Sequence, residues 1–128
     1  MASINKVKWL LRFEGIFYLL TGLWPLLHFR SFLEITGFKT DIWMVVTVGA
    51  LLALNGLLYL VESRSRVISK AVVASAIAVP VILLWIDLFY VFSGVISSVY
   101  IVDAVIENLI LICWVVVFVS DTILTSPA

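Results

Sequence analysis

VYIVDAVIENLILICWVVVFV, residues 99–119, decides how this chain is read. Apart from Asp103, Glu107 and Asn108, every residue in it is apolar or aromatic. A helix of about 20 such residues spans the hydrocarbon of a bilayer. Working outward, three more runs share this character: Trp9 to Leu27, Ile42 to Val61, and Ala71 to Phe92. The whole chain of 128 residues is 64% hydrophobic and only 12% charged, with a mean hydropathy of +1.24. Soluble domains hold about 25% charged residues, and a small one leaves much of its area exposed. The expected fold is therefore all-α: one integral membrane four-helix bundle over residues 1–128, with short loops and antiparallel neighbours.

The intervening sequence punctuates these helices. Pro25 and the polar residues after it close the first run, which ends in bulky side chains and does not read as a cleaved signal peptide. Thr40-Asp41 is suited to cap the second helix. Pro80 lies inside the third and is expected to kink it. Residues 29–35 should form a short interfacial helix, with Phe29, Phe32 and Leu33 on one face, an Arg30–Glu34 pair on the other and Gly37 as the stop.

Lys6, Lys8, Arg12, Arg64, Arg66 and Lys70 lie at one end of the spans, against Arg30 and Lys39 at the other. Basic residues favour the cytoplasmic side, so both termini are expected there, and the 29–35 segment outside. Net charge is zero, which gives no general attraction to nucleic acid. Cys113 is a lone apolar position.

Helices in lipid associate through small residues and polar contacts. Gly15 and Gly22 form one smooth stripe, Gly49, Ala53 and Gly56 a second, and Ala71, Ala74, Ser75 and Ala78 a third. Ser75 could hydrogen-bond across to a neighbour. Any stripe could equally face a second copy, so a homo-oligomer stays open.

Intramembrane carboxylates cost on the order of 3 kcal/mol each at the helix centre and are the first candidates for chemistry. Asp87, Asp103 and Glu107 fall in the outer half of the third and fourth spans, and Asp103 and Glu107 share a face at i and i+4. Glu107 either carries a proton or faces a polar cavity. Only Arg30 is placed to reach it. Glu14 lies toward the inner end, where Asn55 or the basic second loop could partner it. Trp85, Tyr90 and Asn108, with Glu14 and Asn55, are the candidate ligand contacts. Tyr59 and Trp114 could also line an apolar pocket. His28 alone offers no metal site, and neither a cofactor nor a phosphate-loop, CxxC or HExxH motif is readable.

Gly22-Leu23-Trp24-Pro25, Thr36-Gly37-Phe38-Lys39-Thr40-Asp41-Ile42-Trp43 and Thr47-Val48-Gly49, with Asp103-x-x-x-Glu107, resemble the small bacterial DoxX-like membrane proteins. The resemblance implies a four-helix fold in a bacterial inner membrane and no defined activity. The small multidrug transporters match in size and in an acid in the first span, but Arg12-Phe13-Glu14-Gly15-Ile16 departs from their pattern.

Three functions follow as expectations: binding, with or without transformation, of an apolar, amphipathic or cationic small molecule at the outer acids; service as an accessory subunit or assembly factor of a membrane complex; or proton- or cation-coupled transport as a dimer. Topology is directly testable. On a Cys113→Ala background, Ser98→Cys should react with a membrane-impermeant maleimide in intact cells. Ser65→Cys should react only after permeabilisation, and the opposite pattern would invert the assigned orientation.

Overall fold

The computed structural model describes residues 2–125, with side chains described for residues 4–120. It contains five helices: α1 (Ala2–Leu27), α2 (Phe29–Thr36), α3 (Ile42–Glu62), α4 (Lys70–Phe92) and α5 (Tyr100–Thr125). No strand occurs among the described residues. Four of the helices are long and apolar enough to cross a membrane. α1 begins one to two turns before Trp9, and α5 continues past Val119. The apolar run marks only the part suited to hydrocarbon, whereas a helix satisfies its own amides and extends into polar sequence such as Asn5-Lys6 at no cost in unpaired groups.

Much of the apolar surface faces outward. Only 17% of the most apolar window of α4 is buried, and Trp9, Leu20, Leu51, Trp85 and Val115 are all exposed. In water such a surface would drive aggregation.

α1 and α3 make the tightest seam. A Cβ on Gly22 would stand 2.5 Å from the Gly49 carbonyl oxygen and the Ala53 amide nitrogen, and one on Gly56 would stand 2.5 Å from the Gly15 carbonyl oxygen. The two backbones touch, and any side chain would force them apart. α4 packs along α5, and α1 also contacts α5, but α3 and α4 barely meet. A bond between the Tyr59 and Ser75 hydroxyls, 2.9 Å, joins α3 to α4. It realises the interhelical contact expected of Ser75. The rest of that stripe behaves otherwise: Ala71, Ala74 and Ala78 are exposed, and the small residue of α4 in the core is Ala76. The four residues span two helical turns, and the rotation of α4 toward α5 turns most of them away from the core.

α2 folds over one end of the bundle, here termed the α2 end. His28 stands at its N-cap position, and its Nδ1 accepts from the Ser31 amide at 3.2 Å. Arg30 pairs with Glu34 at 3.2 Å as expected. Gly37, at φ +100°, ends the helix by donating its amide to the Leu33 carbonyl. Trp24 fastens α2 to α1, with Nε1 donating to Ser31 Oγ at 2.8 Å and its ring edge-on to Phe32 at 5.4 Å. At the start of α3, Asp41 stands at the N-cap but makes no side-chain capping bond. Its carbonyl instead takes the amides of Met44 and Val45.

Gly56→Val should destabilise the fold by about 1–3 kcal/mol, the usual range for overpacking. Exposed Leu54→Ala should move it by about 0.5 kcal/mol or less. Reversible unfolding in mixed micelles measures both.

Candidate functional site

A cavity of about 600 Å³ lies at the α2 end, within the usual size range for small-molecule sites. Phe17, Tyr18, Thr21 and Trp24 of α1 form its back wall together with Ile106 and Glu107 of α5. Met44, Val45, Val48 and Leu52 of α3 form one side, and Leu83, Ile86 and Asp87 of α4 the other. Phe32, Ile35 and Thr36 of α2 cover the end. Where α3 and α4 barely touch, the lining residues Met44, Val48 and Ile86 remain exposed, so the cavity is open on that flank.

Three carboxyl groups interrupt this apolar lining: Asp87, Asp103 and Glu107. The structure therefore brings the expected acid cluster to one cavity. Helix geometry explains the placement. Asp103 and Glu107 are one turn apart on α5, and the short 93–99 connection puts α4 beside them. Asp103, half-buried, lines the same cavity from α5. Asp87 is 5% exposed and Glu107 0%. Asp87 Oδ2 and Glu107 Oε1 are buried without a hydrogen-bond partner. Leaving such a group unmet costs about 1–3 kcal/mol, more if it is charged. Among the described residues no three His, Cys, Asp or Glu side chains are arranged to hold a metal ion.

The partners of the acids differ from those expected. Arg30 does not reach Glu107. The Tyr18 hydroxyl donates to Glu107 Oε2 at 2.7 Å, and Arg30 is engaged with Glu34 at the surface. Glu14 is met neither by Asn55 nor by the basic 63–69 loop. Trp114 Nε1 donates to its Oε2 at 2.9 Å, in the core. Both donors are aromatic side chains, which bring a polar tip at little cost in buried polar surface. Glu14 is buried but sits behind the lining, not in it.

Trp85, 68% exposed and stacked on Phe89 at 5.9 Å, points out of the bundle. Tyr90 and Asn108 are exposed, Asn55 is half-buried, and none of the three lines the cavity. Tyr59 and Trp114 lie in the core instead of at a pocket wall. The helical faces that carry Trp85 and Asn108 are turned away by the α4–α5 contact, a rotation that sequence spacing does not specify.

Tyr18 and Lys39 are site residues that the sequence reading did not single out. Tyr18 had a legible signal: it is four residues from Glu14 on the same face of α1. Lys39 stood out only as a loop charge. It lines the cavity mouth, where its Nζ donates to Thr36 Oγ1 at 3.2 Å and lies 5.4 Å from the Phe32 ring and 5.1 Å from the Tyr100 ring. Two rings and local oxygens thus hold this cation at the entrance.

Comparison with protein-family models, with curated proteins and with solved structures finds no match for this chain.

A double-mutant cycle over Glu14→Met, which removes the acceptor, and Trp114→Phe should return a coupling of about 1 kcal/mol, in the range of interhelical bonds in membrane proteins. A cycle over Glu14→Met and Asn55→Ala should return none. Unfolding in mixed micelles again supplies the numbers.

Proposed function

We propose that this chain is a multi-pass membrane protein that binds an amphipathic small molecule in the cavity at the α2 end. Its tail lies among the apolar side chains between α3 and α4, and its head, a hydrogen-bond donor or a cation, meets the carboxyl groups. On this reading the long helices cross the bilayer in alternating directions. The pairing of Gly15 with Gly56 and of Gly22 with Gly49 supports that arrangement. The basic ends of the spans lie on the cytoplasmic side, and α2 lies on the outer interface.

The observation that carries the reading is the pair of unpartnered buried oxygens, Asp87 Oδ2 and Glu107 Oε1, on carboxyl groups lining an otherwise apolar cavity. Carboxyl groups without donors are costly in an apolar setting, and a donating head group supplies what the protein does not. The open flank supports entry from the bilayer, where an amphiphile is already concentrated and oriented. Lys39, held at the mouth by two rings, bounds the head-group end.

The test is native mass spectrometry of the protein in lipid nanodiscs with dodecylamine, dodecanol or dodecanoate. Dodecylamine should bind best. Asp87→Asn should weaken it about tenfold or more, as loss of a charge-assisted hydrogen bond worth about 1.5–3 kcal/mol requires. Leu83→Trp, which fills the cavity, should abolish binding of all three. Preference for dodecanoate, or binding indifferent to both substitutions, would sink the proposal. A co-purifying protein and no small-molecule adduct would favour the subunit reading instead.

A further inference from the structure

The outward faces of the long helices are apolar almost throughout, and α5 carries the exception. Asn108 stands eight residues past Tyr100, more than two turns from either end of α5, and is exposed. Among the described residues its carboxamide makes no hydrogen bond. On the same face lie Ile101, Val105, Ile112, Val115 and Val119, which with Asn108 follow one another at alternating steps of four and three residues. All but the half-buried Ile101 are exposed. Other exposed polar side chains can be settled locally: Thr47 of α3 returns its hydroxyl to the Trp43 carbonyl at 2.8 Å. Asn108, with two N–H donors and a carbonyl acceptor, has no such return.

A polar group set in an apolar medium without a partner is costly, and lipid chains cannot supply the partner. A second copy can. Copies inserted in the same direction hold their α5 helices parallel, with Asn108 at the same level in each. A carboxamide is electrically self-complementary: the N–H end is the positive end of its dipole and the carbonyl oxygen the negative end. Two of them related by a two-fold axis therefore each donate to the other. Steps of four and three let parallel helices wrap as a left-handed pair, the usual crossing in membranes. A single asparagine in such a seam fixes register and favours two strands. The exposed stripe of α4 through Ala74, Ala78, Val81 and Trp85 has the same spacing without a polar residue, so nothing on it selects a partner.

We propose that two copies of this chain pair in the membrane through the 101–119 face of α5, with their Asn108 carboxamides hydrogen-bonded to each other across a two-fold axis. The pairing rests on the membrane reading of the chain and is independent of ligand binding in the cavity.

The test is disulfide trapping in the membranes of cells that produce the protein. On a Cys113→Ala background, Val105→Cys and Ile112→Cys lie about one turn to either side of Asn108. Each should give a disulfide-linked dimer on mild oxidation, because a disulfide needs Cα atoms about 4.4–6.8 Å apart. Val102→Cys, exposed on α5 but about 120° round the helix from Asn108, should not, and nor should the native Cys113 at about 140°. Asn108→Leu, on a surface position that the fold of one chain does not use, should raise the dimer dissociation constant about tenfold or more in lipid-dilution measurements, as loss of two interhelical amide bonds implies. Asn108→Gln, which keeps the carboxamide, should restore most of the pairing. Trapping at Val102→Cys or Cys113 equal to that at Ile112→Cys, or dimerisation indifferent to Asn108→Leu, would overturn the proposal. So would a different protein trapped on this face. Alkaline extraction separates the two levels of failure. A chain released from the membrane overturns the membrane reading and the dimer together, whereas one that stays embedded as a monomer removes the dimer alone.

Discussion

Between Gly22 of α1 and Ala53 of α3 there is no room for a carbon atom, and the same holds between Gly56 and Gly15. This backbone contact sets the arrangement of everything else. It commits one face of α1 and one face of α3 to each other along most of their length. α3 is then drawn toward α1 and away from α4, while α4 finds its partner in α5. The two pairs meet through α1 and α5, so the remaining side, between α3 and α4, stays thinly filled. At the end opposite α2 the Tyr59–Ser75 bond bridges that side. At the α2 end nothing comparable does, and the cavity is the result.

Polar groups follow the same geometry. Contact between α1 and α5 brings two carboxylic acids of one pair of helices against two aromatic donors: Tyr18 against Glu107 and Trp114 against Glu14. An isolated acid buried among apolar side chains is expensive. Each acid here has one oxygen met by an aromatic N–H or O–H, a partner that adds no further charge to the core, and one oxygen left without a donor. A lysine or arginine partner would have neutralised the acids and fixed them. The aromatic donors orient them and leave one oxygen of each without a donor.

α2 gives the cavity its end wall. Its apolar face, with Phe32 against Trp24, turns inward, and its charged face, with Arg30 and Glu34, turns outward. Gly37 stops the helix, and the chain then places Lys39 over Phe32 and Tyr100. One cation thus stands at the mouth while three carboxyl groups lie deeper. An amphiphile entering between α3 and α4 would meet apolar side chains along its length and acid at its head.

Legibility in the sequence divides along a physical line. The long helices, the short helix over 29–35, the Arg30–Glu34 pair, the Gly37 stop and the small-residue seams of α1 and α3 are local or periodic features, and periodicity along one chain reports them. The same holds for the position of each acid along its helix, because rise per residue is fixed. That Asp87, Asp103 and Glu107 share a cavity, that Trp85 and Asn108 face away from it, and that Glu14 is met by Trp114 instead of Asn55 depend on how each helix is rotated about its axis. That rotation is set by packing between helices distant in sequence, above all the contact of Gly15, Gly22, Gly49 and Gly56. No spacing within one helix encodes it, so the acids could be found in the sequence, while their partners and their common cavity were decided by the tertiary structure.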